Sequence, residues 1–194
     1  GKIIECAFAS SNTEYTDLID IIITADDELS GLKDCTSYQY YLSTSSTSLS
    51  GGEWKDYTNG ETTTIGEGLT GEYYLFIKPV TDKAGNTSST DYHIFGQYYF
   101  DNQGPEIVLN SENGDGWKKS HDIRVHVTDM HAGLSSSEWD LSYAWTENDT
   151  DIPSEWNQVD RSKVFSDSQN ELYSTILKTR IDRGILFMDK GRKC

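Results

Sequence analysis

The chain has 194 residues, of which 35% are apolar and 12% aromatic, and its 32 Asp and Glu against 16 Lys and Arg give a net charge of −16. That length allows one or two domains, and the acidic balance excludes nucleic acid and anionic membrane surfaces as partners, because both need clustered Lys and Arg. The apolar residues fall in short clusters and Tyr is frequent at 12 residues, which indicates a folded, heavily solvated chain rather than a disordered one.

Nothing reaches the roughly 18 consecutive apolar residues that a membrane-spanning helix needs, so no membrane insertion is expected. The sequence opens at Gly1 without an apolar targeting segment, so a secretion signal would lie outside it. Cys6, Cys35 and Cys194 form no C-x-x-C spacing. They indicate unpaired or buried thiols in preference to a Cys6–Cys35 bond, and no zinc site.

Taken along the chain, the first distinctive stretch is the acidic turn "DELSGL" at 27–32, followed by the aromatic segment "YQYYLS" at 38–43. The clusters "STSSTSLSGG" and "TNGETTTIGEG" are turn chemistry on either side of Trp54. "GEYYLFIKPV" at 71–80 starts at a Gly and ends near a Pro, and its aromatic and branched content predicts a strand. "GQYYF" then runs into "DNQGP", where Pro105 suits a short, stiff joint before a new apolar strand at Ile107. In "DIRVHVTD" at 122–129, Ile123, Val125 and Val127 alternate with Arg124, His126 and Thr128, the period of a half-buried strand. "LSYAW" repeats the pattern with Leu141, Tyr143 and Trp145 inward, and no segment carries a sustained helical stripe.

The turn recurs as "DMHAGL" at 129–134, with Gly133 following Gly31 at an offset of 102. The same offset pairs Asp20 with Asp122, Ile21 with Ile123, Ile23 with Val125 and Trp54 with Trp156. An offset of 103 pairs Tyr40 with Tyr143 and Leu42 with Trp145, which requires a one-residue loop insertion. Near the end, "FIKPVTDKAG" at 76–85 lines up with "ILKTRIDRG" at 176–184, placing Lys78 over Lys178 and Asp82 over Asp182. The reading is two divergent copies of one unit, residues 1–103 and 104–194. Each is an all-β sandwich of roughly seven short strands.

The run "DELSGL", "YQYYLS", "EW", "GEYYLFIKPVTDKAGN" and "FDNQGP" resembles the bacterial immunoglobulin-like repeats found in tandem in large secreted and cell-surface proteins. "YYLFIKPVTDKAGN" is its most specific part and resembles that family's penultimate strand and following turn. Residues 1 to about 103 carry the likeness well and 104–194 more loosely. In the second copy the turn is shortened to Asp182-Arg183-Gly184, and no match to "YHIFGQYYF" follows; "ILFM" at 185–188 is the candidate substitute for that closing strand. The resemblance implies two tandem immunoglobulin-like sandwiches, the second incomplete at its C-terminal strand. It also implies an extracellular or cell-surface stalk or adhesion module without catalysis of its own. Its partners would be a protein or glycan ligand and the neighbouring repeats of a parent chain.

For the repeated turn, the structural reading is that Gly31 and Gly133 adopt a backbone conformation that side chains forbid, with Leu32 and Leu134 re-entering the core. The functional reading is calcium. Asp26, Asp27 and Glu28 would offer oxygen ligands in the turn, and Asp101 with Asn102 would hold an ion at the joint. Against it, the second copy keeps only Asp129, and no D-x-D-x-D-G loop occurs.

No cofactor and no catalytic residue is assigned: there is no G-x-S-x-G and no H-E-x-x-H. Gly66-Glu67-Gly68 lies between strands rather than before a helix. His93, His121, His126 and His131 are scattered, with His126 on an outward strand face. Trp54 and Trp156 are expected as packing elements, while Trp117 and Trp139 are unplaced. Three readings therefore stand: spacer or adhesion module, carbohydrate-binding modules of a secreted hydrolase if an exposed aromatic row exists, and calcium-stiffened rod. Sequons at Asn86-Thr87-Ser88 and Asn148-Asp149-Thr150 matter only in a eukaryotic secretory route.

Overall fold

The computed structural model describes residues 3–7, 13–34, 38–111, 121–134, 141–145, 152–160, 162, 164–168, 170–178 and 185–189. The fold is all-β and its sheets are antiparallel. The chain divides into two compact units, Gly1–Gln103 and Gly104–Cys194.

The first unit runs β1 (Ile3–Ala7), β2 (Ile19–Asp26), β3 (Gln39–Ser43), β4 (Trp54–Asp56), β5 (Thr62–Ile65), β6 (Gly71–Ile77) and β7 (His93–Phe100). One sheet has the order β1-β2-β5 and the other β4-β3-β6-β7. Period-two alternation explains β2: Ile21, Ile23 and Ala25 are buried while Asp20, Thr24 and Asp26 are exposed. Facing Ile21, Ile23 and Ile65 across the core are Tyr40 and Leu42 of β3, Tyr73, Leu75 and Ile77 of β6, and Tyr98 and Phe100 of β7. Two sheets thus share one apolar interior, and each fully buried aliphatic or aromatic side chain in it contributes roughly 1.5–3 kcal/mol. Cys6 is a free thiol, half-buried against this core, and burial pushes its pKa up; Cys35 and Cys194 lie outside the described residues.

The second unit runs β8 (Glu106–Ser111), β9 (His121–Thr128), β10 (Leu141–Trp145), β11 (Asn157–Gln158), β12 (Val164–Ser168), β13 (Glu171–Lys178) and β14 (Ile185–Asp189). Its sheets are β12-β13-β9-β8 and β11-β10-β14. Val125, Val127, Leu141, Val159, Leu172 and Ile176 form its core, with Ile107, Leu134, Tyr143 and Trp145 packed against it.

Strand register can be compared between the units. β2 and β9 are both eight residues long. Tyr40 lies opposite Lys55 as Tyr143 lies opposite Asn157, so Tyr40 corresponds to Tyr143 and Trp54 to Trp156. One expected match fails. Residues 176–178 belong to β13, which pairs with β9, Ile176 opposite Ile123, as β5 pairs with β2, Thr63 opposite Ile21. They are not the counterpart of β6. That place is taken by β14, where Phe187 faces Tyr143 as Ile77 faces Tyr40. The Lys78–Lys178 match misled because it ignored register: β13 buries Leu172, Ser174 and Ile176 in alternation on the β9 sheet, while Asp182 lies outside the described residues. "ILFM" therefore takes the place of β6 rather than that of the closing strand β7, and no counterpart of β7 occurs among the described residues. No helix of the described residues is long and apolar enough to cross a membrane.

Candidate functional site

The repeated turn is built by a carboxylate and a glycine. Asp27 is buried, and its Oδ2 accepts a hydrogen bond from Ser30 Oγ at 2.7 Å. That bond, helped by the backbone N–H groups of Leu29 and Ser30, holds Asp27 below its usual carboxylate range against the opposing effects of burial and nearby Asp82. In the second unit Asp129 Oδ1 accepts from the N–H of His131 at 3.2 Å and of Gly133 at 3.0 Å. Gly31 and Gly133 have φ of 73° and 78°, the left-handed region that favours glycine. Leu134 packs on the second core as expected. Leu32 is half-buried and bridges Asp82 instead.

That bridge joins the two most distinctive stretches of the first unit. Lys33 N–H donates to Thr81 O at 2.9 Å and Lys83 N–H to Gly31 O at 3.0 Å. Asp82, 4% exposed, accepts from the Asn86 N–H at 2.7 Å and from Asn86 Nδ2 at 2.8 Å. "DELSGL" and "VTDKAGN" are thus one fastened pair of loops.

The five calcium candidates fall in two places. Asp26, Asp27 and Glu28 lie at the C-terminal end of β2, whereas Asp101 lies before its start, its N–H bonded to Thr16 O at 2.8 Å. The eight residues of β2 separate the groups by roughly 25 Å at about 3.3 Å per residue. Asp26 and Glu28 face solvent. Asp101 Oδ1 accepts from the Gln103 N–H at 3.1 Å. Asn102 points its Nδ2 at three backbone carbonyls, Leu69 O at 2.7 Å, Gly66 O at 2.9 Å and Asp17 O at 3.2 Å. Its amide fills the place among converging oxygens where a cation would sit. No group of three or more His, Cys, Asp or Glu is placed to hold a metal among the described residues.

The site that sequence reasoning missed is on the outward face of the β4-β3-β6-β7 sheet. Register aligns Trp54, Tyr41, Phe76 and Ile94 in one row across four strands. Tyr41 meets Trp54 at 5.5 Å, and Tyr92 packs on Trp54 at 5.3 Å and on Phe76 at 6.0 Å. The planes are inclined by 61°, 45° and 71°, and Lys78 Nζ stands 4.4 Å from the centroid of Trp54. A polar chain borders the row: Lys78 Nζ donates to Gln39 Oε1 at 2.6 Å and Gln39 Nε2 to Asp56 Oδ1 at 2.8 Å. The available signal was the double run of aromatics in "QYY" and "YYLF", which places rings on both faces of a strand.

Trp156 is half-buried and donates through Nε1 to Pro153 O at 3.1 Å; Trp117 and Trp139 lie outside the described residues. His93 Nε2 is 3.1 Å from Ser88 Oγ, and burial lowers its pKa. His126 stacks on Tyr173 at 4.3 Å. Compared with known proteins, the chain matches no family model, no curated sequence and no solved structure.

Proposed function

We propose that the chain is a pair of immunoglobulin-like repeats serving as a non-catalytic spacer and adhesion module of a tandem-repeat bacterial surface or secreted protein, working outside the cell. One observation carries the spacer role. In the first unit Ile3 pairs with Asp26 at the far end of β2, while the chain leaves beside Thr16, before β2 begins. The chain arrives at one pole and departs from the opposite one, so the whole length of a sandwich is added to the reach of whatever it carries. A fold whose termini meet at one pole would add almost none. The second unit supports the same plan at its arrival pole, where Glu106 pairs with Thr128 beside the Asp129 turn.

The carbohydrate-binding alternative needs a flat, open platform. The rings of the aromatic row are inclined to one another, and the Trp54 ring carries Lys78, so the row favours packing and protein contact over sugar stacking. The test is reach. With the chain inserted between a surface anchor and a fluorescent reporter, the height of the reporter above the membrane should rise with each added copy; a constant height would remove the spacer reading.

A further inference from the structure

We propose that the outward face of the β4-β3-β6-β7 sheet is a docking surface for a protein partner that presents an apolar anchor among Lys and Arg side chains. The proposal rests on the adhesion reading and names its adhesive face.

The outer face of an antiparallel sheet normally meets water and carries polar residues. Here it carries Trp54, Tyr41, Phe76 and Ile94 in register. Part of this cluster is self-contained, since Tyr41 and Phe76 are 8% and 2% exposed beneath their neighbours. The remainder is not: Tyr92, lying against Trp54 and Phe76, is 42% exposed, and Ile94, at the β7 end of the row, is 46% exposed. A rigid aromatic bed ending in two exposed large apolar side chains is the composition of an interface hot spot.

The second unit serves as an internal control. Leu141, Tyr143 and Trp145 face its core, so alternation places Ser142 and Ala144 on the other face of β10, where Ala144 is itself buried. By register these occupy the places of Gln39 and Tyr41. The same strand pair therefore forms with a small residue in place of the outward Tyr, while the Trp beside it is kept as Trp156.

Charge sets the chemistry of the occupant. Asp56, on the same face as Trp54, and Asp91, next to Tyr92, are exposed, and Lys78 is already engaged by Gln39 and Trp54. Lys55 belongs to the other face by alternation. With a net charge of −16, a second copy of this chain would be repelled. A basic rim around an apolar anchor is complementary on both counts.

The test uses the full chain as bait for a displayed library of random peptides, counter-selected against a Tyr92→Ser, Ile94→Ser double variant. Because Tyr92 also packs on Trp54 and Phe76, the double variant is verified as folded by a cooperative unfolding transition, and the single Ile94→Ser variant, which keeps that packing, is run beside it and should also lose affinity. The expected result is a consensus with an aromatic or aliphatic residue flanked by Lys or Arg. Affinity should drop about tenfold or more in the double variant and weaken markedly at about 0.5 M salt. No enrichment over the variant, an acidic consensus, or peptides bound equally by both proteins would overturn the assignment. So would binding of cello- or xylo-oligosaccharides with shifts mapped to Trp54 and Tyr92. Those outcomes leave the reporter-height test untouched, so failure of the face and failure of the spacer reading are distinguishable.

Discussion

Replacing Asn102 by Ala separates a structural clamp from an ion site. The wild-type amide serves the carbonyls of Asp17, Gly66 and Leu69 and so ties the departing chain to the turns before β2 and after β5. Two of these contacts are solvent-exposed, and Gly66 O also accepts from the Leu69 N–H, so water and that bond recover part of the loss. The net cost should be about 1–2 kcal/mol, at the lower end of the range for leaving buried acceptors unpaired. For a unit of 103 residues that is a fall in its melting temperature of roughly 5–10 °C. Asn102→Asp is more telling. A carboxylate turned toward three carbonyl oxygens is repelled, so Asp should destabilise more than Ala, and calcium should not restore it. Calorimetry of the wild type and both variants, with and without calcium, reads the difference. If Asn102→Asp in calcium matches or exceeds the wild type, the clamp argument is wrong and the joint is an ion site.

Other consequences can be measured alongside. Gly66→Ala should cost about 3–5 kcal/mol, because its φ is 108° and a Cβ would overlap the buried Phe100 ring. Gly68→Ala, at φ 70° with open space around it, should cost only about 1 kcal/mol in the same urea titration. Asp27 has a folded pKa below its unfolded one, so its stabilising effect is complete above about pH 4 and fades as pH falls through the lowered value. Asp27→Asn should therefore flatten the acid limb of the stability curve in that window, and an unchanged limb would contradict the turn's hydrogen-bond scheme. Calcium at about 5 mM should leave the wild-type transitions where chelator puts them, since a ligand binding only the folded state would raise them.

What could be read from sequence follows physical lines. Alternation in "DIRVHVTD" and "LSYAW" gave the inward residues of β9 and β10 because period two survives divergence when one face stays buried. The glycine of the repeated turn was legible because few other residues accept a φ near 75°. The place of β13 was not, since side-chain identity at Lys178 says nothing about which strand lies opposite, and only pairing with β9 decides it. Asn102 reads as a ligand in sequence, since both roles need a polar amide. Whether its oxygen or its NH₂ faces the carbonyls emerges only from the folded turns around Gly66. The aromatic row was hidden for a related reason: its members come from four strands and meet only through register.

The spacer role requires the chain to cross the first sandwich from pole to pole. That crossing is read by the distance between spin labels at Glu28 and Gln103, introduced as cysteines with Cys6, Cys35 and Cys194 changed to Ser. These sites lie beyond opposite ends of β2, and its eight residues at about 3.3 Å each, plus the flanking turns, predict a narrow distribution near 30 Å. A distance below about 15 Å, less than five residues of extended strand, would put arrival and departure at one pole and contradict the spacer account.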